Sequence, residues 1–198
     1  MISASRSDSD RWQTISSVSH FANDHVAVST ELVRTPSRLE PLEWTVVKRK
    51  SAVVVAPLTV EGGIVLIRQE RIAIRDTIWE MPAGQVDELC GTGSFKDVAL
   101  RELREETGYE LAENGELVFM GDFFSSAGFT DERAFLFLAK SVRRSARGHA
   151  HDETEAILEC REFSPEAIRA MIAENEIRDA NTLSVFARLI ARGLWPTI

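Results

Sequence analysis

The stretch "RELREETGYEL", Arg101 to Leu111, sets Glu102, Glu105 and Glu106 on about two turns of what reads as a single helix. Residues three and four apart on a helix are neighbours, and like charges at that spacing destabilise it by a few tenths of a kcal/mol per pair. Such a concentration therefore calls for compensating charge. Arg101 and Arg104 can supply it as surface ion pairs, each of small net worth. A divalent cation can also supply it: Glu102 and Glu106, one turn apart, can reach the same ion, and Glu105 is close enough to share a second. Mg²⁺ takes hard oxygen donors and keeps several waters, so a few carboxylates and the oxygens of a phosphorylated ligand can complete its shell. Such a site supports attack of water on phosphorus, with the ion stabilising the charge spread over the phosphoryl oxygens. The fragment by itself leaves the ion-pair and metal readings both open.

The elements that must position these residues follow from patterning. In "SFKDVALRELREETG", Ser94 can cap the helix and Gly108 can end it, while Val98, Ala99, Leu100 and Leu103 form its apolar face and leave the carboxylates on the others. Upstream, "HVAVSTELVR", "EWTVVKRK", "SAVVVAPLTV" and "GIVLIRQER" are β-branched runs separated by the turn-rich "TPSRLEP" and "EGG", which predicts strands. The short apolar "TIWEMPAG" and a Gly-containing loop lead into the helix. Further strands are predicted at "ELVFMGDFF", "RAFLFLAKSV" and "AILECREFS". The chain closes with two helices, "PEAIRAMIAENEI", with Pro165 in its first turn, and "DANTLSVFARLIARG", ended by Gly193. Residues 1–10, rich in Ser, Asp and Arg, read as a disordered start. The whole is an α+β chain of 198 residues: a β-rich extension over 1–50 and a catalytic-size domain over 51–198.

Composition narrows the function. A net charge of -8 argues against a protein whose task is gripping nucleic acid, where affinity comes from Lys and Arg neutralising phosphates. No apolar run approaches a membrane span, and "MISASRSDSDRW" lacks the apolar core of a signal peptide. Cys90 and Cys160 are the only cysteines, without metal-ligand spacing, which fits a reducing cytoplasm.

Taken together, "PAGQVDELCGTGSFKDVALRELREETGYEL" resembles the signature of the Nudix hydrolases: Gly, five residues, Glu, seven residues, then Arg-Glu-apolar-x-Glu-Glu-x-Gly-apolar. Arg101, Glu102, Leu103, Glu105, Glu106, Gly108 and Tyr109 fill the second half of that pattern. The first half departs from it: about three residues are inserted around "ELCGTG", and Gly93 stands where the Glu is expected, with Glu88 as a substitute from the loop. The resemblance implies a mixed β-sheet sandwiched between helices. It also implies that Glu102, Glu105, Glu106 and the backbone carbonyl of Ala83 hold Mg²⁺, or Mn²⁺ in its place, with Arg101 orienting Glu105.

Outside the signature, "LIRQERIAIRDTIWEMPAG", "FFSSAGFTDERAFLFLA", "HDETEAILECREFS" and "MIAENEIRDANTLSVFARL" resemble, in order, blocks of the ADP-ribose pyrophosphatase branch. That resemblance implies a nucleoside diphosphate sugar as substrate, ADP-ribose first, cleaved to AMP and ribose 5-phosphate. It puts Glu153 of "DETEA" at the position of the catalytic base, Glu155 close behind, and Arg71 near the diphosphate. Arg68 and Arg71 can also be solvated strand-edge residues, but the diphosphate reading of Arg71 is favoured because a guanidinium suits phosphate geometry. Arg49 and Lys48 are further candidates. Glu132 divides evenly between a substrate contact and a turn residue. Members of the branch stack adenine on aromatics from N-terminal segments, a role open to Trp12 and Phe21, and they exchange N-terminal strands in homodimers. Trp79 reads as core, and His149 and His151 as solvent-exposed. The rival readings are a GDP-mannose type or broad nucleotide-sugar diphosphatase and, from another class, a non-catalytic sensor of ADP-ribose.

Overall fold

The computed structural model describes residues 12–86, 95–146, 148 and 156–195. The chain divides into two compact units, one of residues 1–50 with 126–132, the other of residues 51–125 with 133–198.

In the first unit, strands β1 (Gln13–Ala22), β2 (Val26–Arg34) and β3 (Leu42–Arg49) form an antiparallel sheet in that order. Asn23 makes the β1–β2 turn, its side chain accepting from the amides of His25 and Val26 at 2.9 Å. Strand β1, "QTISSVSHFA", was not expected: its serines dilute the β-branched signal, and every residue of it is exposed. The segment 126–132 docks on β3, with the Val47 amide donating to the Phe129 carbonyl at 2.8 Å and the Trp44 indole to that of Gly128 at 2.8 Å.

The second unit is built on strands β4 (Ala52–Thr59), β5 (Ile64–Arg71), β6 (Asp76–Glu80), β7 (Ala83–Gln85), β8 (Tyr109–Phe124), β9 (Arg133–Arg144) and β10 (Ile157–Phe163), with helices α1 (Phe95–Thr107), α2 (Pro165–Ala173) and α3 (Ala180–Ala191). The sheet runs β10-β5-β4-β9-β8, with β6 beside β5 and β7 beside β4. The β4–β9 pair is parallel and its neighbours antiparallel, so the sheet is mixed.

Both faces of the sheet are covered, which is why β4 and β5 read as nearly unbroken apolar runs. Val53 and Val55 point to the face where Ala99 and Leu103 of α1 pack. Val54 and Ala56 point to the other, filled by Ile168 and Met171 of α2 and Val185, Phe186 and Leu189 of α3. Trp79 packs at the edge of that core, edge-on to Phe163 with centroids 4.9 Å apart. Helix α2 stops earlier than its apolar pattern suggested, at Ala173, because Glu174 caps it and Asn175 turns to φ 61°. No helix among the described residues is long and apolar enough to cross a membrane.

Candidate active site

Helix α1 lays a stripe of Ala99, Glu102, Leu103 and Glu106 against the sheet. The spacing i, i+3, i+4, i+7 is that of a buried helical face, yet two of its positions are carboxylates. This corrects the sequence reading, which put the carboxylates on the exposed faces and Leu100 on the buried one: Glu102 is 4% and Glu106 1% exposed, against 37% for Leu100. Burying a carboxylate costs several kcal/mol unless it is paired or hydrogen-bonded, so each has a local partner. Glu106 Oε2 accepts from the Ala83 amide at 2.9 Å. Glu102 Oε1 lies 2.6 Å from an Arg101 nitrogen. Arg101 also reaches Glu105 at 3.0 Å, and Arg104 holds Glu105 from the other side at 3.1 Å.

The backbone of β7 completes the arrangement. A Cβ on Gly84 would lie 2.0 Å from Glu102 Oε1 and 2.1 Å from its carboxyl carbon, so only glycine admits this carboxylate so close to the strand. Gly84→Ala is therefore expected to displace Glu102, cost about 1–3 kcal/mol of stability as an overpacking change and lower turnover roughly tenfold or more. Urea unfolding and steady-state kinetics on the same preparation check both parts.

Glu102, Glu106 and Ala83 are thus brought together, with Glu105 outward of them. The set is all oxygen donors, the chemistry that suits Mg²⁺ or Mn²⁺. Among the described residues no three Asp, Glu, His or Cys side chains converge on one point; the helix carboxylates lie instead on Arg101, Arg104 and the Ala83 amide. The residues present fit a hard cation by donor type and by their nearness to one backbone segment.

Arg71, at the end of β5, is paired with Glu80 of β6, its Nε lying 2.8 and 3.1 Å from the two carboxylate oxygens. The hairpin sets Arg71 opposite Asp76, and the Glu80 side chain reaches back along it. Glu80 is 3% exposed. Burial pushes its carboxyl up against the opposing pull of Arg71, and the hydrogen bond to Glu80 pushes the Arg71 guanidinium up. Sequence reasoning missed Glu80: the hairpin sets it opposite Ile67 and Arg71 opposite Asp76, so the pair forms along the strands through the long Arg71 side chain and cross-strand register does not announce it.

Arg49, Glu132 and Phe21 belong to the N-terminal unit. Arg49 and Glu132 form an ion pair at 3.0 Å, and the Arg49 amide donates to Asp131 at 3.1 Å. The same unit holds a cavity of about 640 Å³ walled by Trp12, Trp44, Glu31 and Arg38, among others; Trp12 lines it and Phe21 does not. Glu153, Glu155, His149, His151, Glu88, Gly93 and Ser94 lie outside the described residues. Burial pushes the Cys160 thiol up to about 11, away from the thiolate that nucleophilic chemistry uses.

Residues 48–186 match the NUDIX domain family. The chain is 32% identical over 171 residues to an ADP-ribose pyrophosphatase of Bacillus subtilis, covering 86% of this chain and 88% of that one. It is 31% identical over 172 residues to a methanol dehydrogenase activator of Bacillus methanolicus, again covering 86% and 88%. A solved structure titled as that of an ADP compounds hydrolase superposes with a TM-score of 0.72 at 14% identity, over 92% of this chain and 96% of the other, a likeness of fold. With its signature helix packed on a mixed sheet and these matches spanning most of its length, the chain belongs to the Nudix hydrolases, in their ADP-ribose pyrophosphatase-like branch.

Proposed function

We propose that this enzyme hydrolyses the diphosphate bond of a nucleoside diphosphate sugar, with ADP-ribose the leading substrate and AMP and ribose 5-phosphate the products. The observation that carries the reading is the pair of buried carboxylates, Glu102 and Glu106, held against Ala83 and Gly84 by an intact signature helix. Burial at that cost, in a helix that has surface to spare, is what a hard-cation site requires. The identity to an ADP-ribose pyrophosphatase supports the substrate.

In this reading Glu102, Glu105, Glu106 and the Ala83 carbonyl hold Mg²⁺ or Mn²⁺. When bound, the ion neutralises charge on the phosphoryl oxygens and makes the attacking water a better acid. Arg101 keeps Glu102 and Glu105 in register. Arg71, already oriented by Glu80, presents guanidinium edge to the diphosphate. Glu153 takes the proton. Arg49, Glu132 and Phe21 contact the nucleoside side of the substrate, and Trp12 in its aromatic-walled cavity is a stacking partner for the base. A homodimer is the assembly supported by β1, a strand exposed throughout that carries Ile15, Val18 and Phe21 at its surface. The cysteine usage fits a cytoplasmic setting.

The test is product analysis from ADP-ribose with and without Mg²⁺, beside GDP-mannose and other nucleotide sugars, with the mass in solution measured on the same preparation. Mg²⁺-dependent release of AMP from ADP-ribose, by a particle of twice the chain mass, is expected. Preference for GDP-mannose would move the enzyme to the neighbouring specificity. Binding of ADP-ribose without cleavage under any metal would make the chain a sensor, the reading that the altered first half of the signature favours.

A further inference from the structure

The segment Glu80–Gly84 that leads into β7 is fixed at every residue. Arg71 holds the Glu80 side chain, the Val55 amide donates to the Pro82 carbonyl at 2.9 Å, the Ala83 amide donates to Glu106, and Gly84 makes room for Glu102. Those anchors come from the sheet and from α1. The remaining one comes from the far end of the chain: the Met81 amide donates to Thr182 Oγ1 at 2.9 Å, across 101 positions.

Thr182 is fully buried, in the first turn of α3. Its hydroxyl donates to Asp179 Oδ2 at 2.7 Å, and its amide donates to the same oxygen at 2.8 Å, the capping bond of the helix. A hydroxyl has one proton. With that proton given to Asp179, the oxygen facing Met81 is a fixed acceptor, charge-assisted from behind.

We propose that Thr182, oriented by Asp179, is a positioning residue for the metal-holding site: it sets the Met81 amide and hence, two residues on, the place of Ala83 against Glu106. The inference rests on reading Glu102, Glu106 and Ala83 as ligands of the ion. A residue serving the fold alone would cost stability when changed and leave ion affinity intact, so ion affinity is the measurement that separates the two roles.

The experiment is titration of the full chain with Mn²⁺, followed by the electron paramagnetic resonance of the free ion, for the natural protein, Thr182→Val, Thr182→Ser and Leu189→Ala. Valine keeps the shape and removes the acceptor, whereas serine keeps the hydroxyl. Leu189 is buried in the core on the same helix, so its truncation is the stability control. Thr182→Val is expected to weaken Mn²⁺ binding about tenfold, the low end for loss of a group that orients a ligand, and to speed hydrogen exchange at the Met81 amide. Thr182→Ser should restore affinity, and Leu189→Ala should keep it while lowering the unfolding midpoint. Natural affinity in Thr182→Val, or an equal loss in Leu189→Ala, overturns the inference. If Thr182→Val does not fold, Asp179→Ala decides: it removes the oxygen that takes the hydroxyl's proton, at a smaller stability cost than Leu189→Ala, so weakened Mn²⁺ binding supports the role and unchanged binding refutes it. A natural chain that takes up no Mn²⁺ removes the metal reading itself, and this inference with it.

Discussion

Glu106→Gln is expected to lower turnover of ADP-ribose by about two to three orders of magnitude, the equivalent of several kcal/mol of transition-state stabilisation, while the protein stays folded. The substitution separates two duties of one side chain. Glu106 Oε2 accepts from the Ala83 amide, and a glutamine carbonyl can accept the same bond, so the anchoring of β7 survives. What disappears is a negative charge at a position only 1% exposed. In the absence of metal the variant should be no less stable than the natural chain, since a buried charge near Glu102 has been removed. Thermal unfolding with and without Mg²⁺, beside initial rates, gives both readings. Near-natural turnover in the folded variant would remove Glu106 from the catalytic set.

Glu153→Gln is expected to lower kcat by roughly 10²–10⁴-fold, the range for loss of a general base, with metal affinity little changed. The expectation follows from the match of "DETEA" to the acidic loop of the branch, separate in sequence from the signature helix. A carboxylate is a weak base toward free water, so in the proposed mechanism Glu153 would act on a water that the ion has made more acidic. The proposed division of labour has the helix carboxylates holding the cation and Glu153 receiving the proton. Metal titration of the variant discriminates. A collapse of affinity would make Glu153 a ligand and pass the base to Glu155.

The chemistry-bearing helix was legible because its pattern is dense: Arg101, Glu102, Glu105, Glu106 and Gly108 sit at fixed spacings that few unrelated helices share. Its orientation was not. Hydrophobicity points Val98, Ala99, Leu100 and Leu103 inward, and the actual buried stripe takes Glu102 and Glu106 in place of Leu100. Function has overridden amphipathicity there, which is the kind of local conflict expected at a site. Strand β1 escaped for the opposite reason: it buries nothing within its own unit, so no alternation was there to read. The anchors Glu80 and Thr182 were invisible because their importance lies in partners brought close only by the fold, Arg71 across a hairpin and Met81 across most of the domain. Arg71 itself was legible as a phosphate-suited guanidinium, but not as one half of a buried pair.

The bond from Met81 to Thr182 also gives the molecule a timetable. During synthesis the signature helix leaves the ribosome long before α3, and the strap ahead of it emerges with the Met81 amide still lacking its acceptor. The central pairing of β4 with β9, Ala52 beside Ala134, waits in the same way. Contacts of such sequence separation demand loop-closure entropy before they return anything, so they form late. A half-made chain therefore already carries every carboxylate of the helix before α3 has brought the Thr182 acceptor to the Met81 amide.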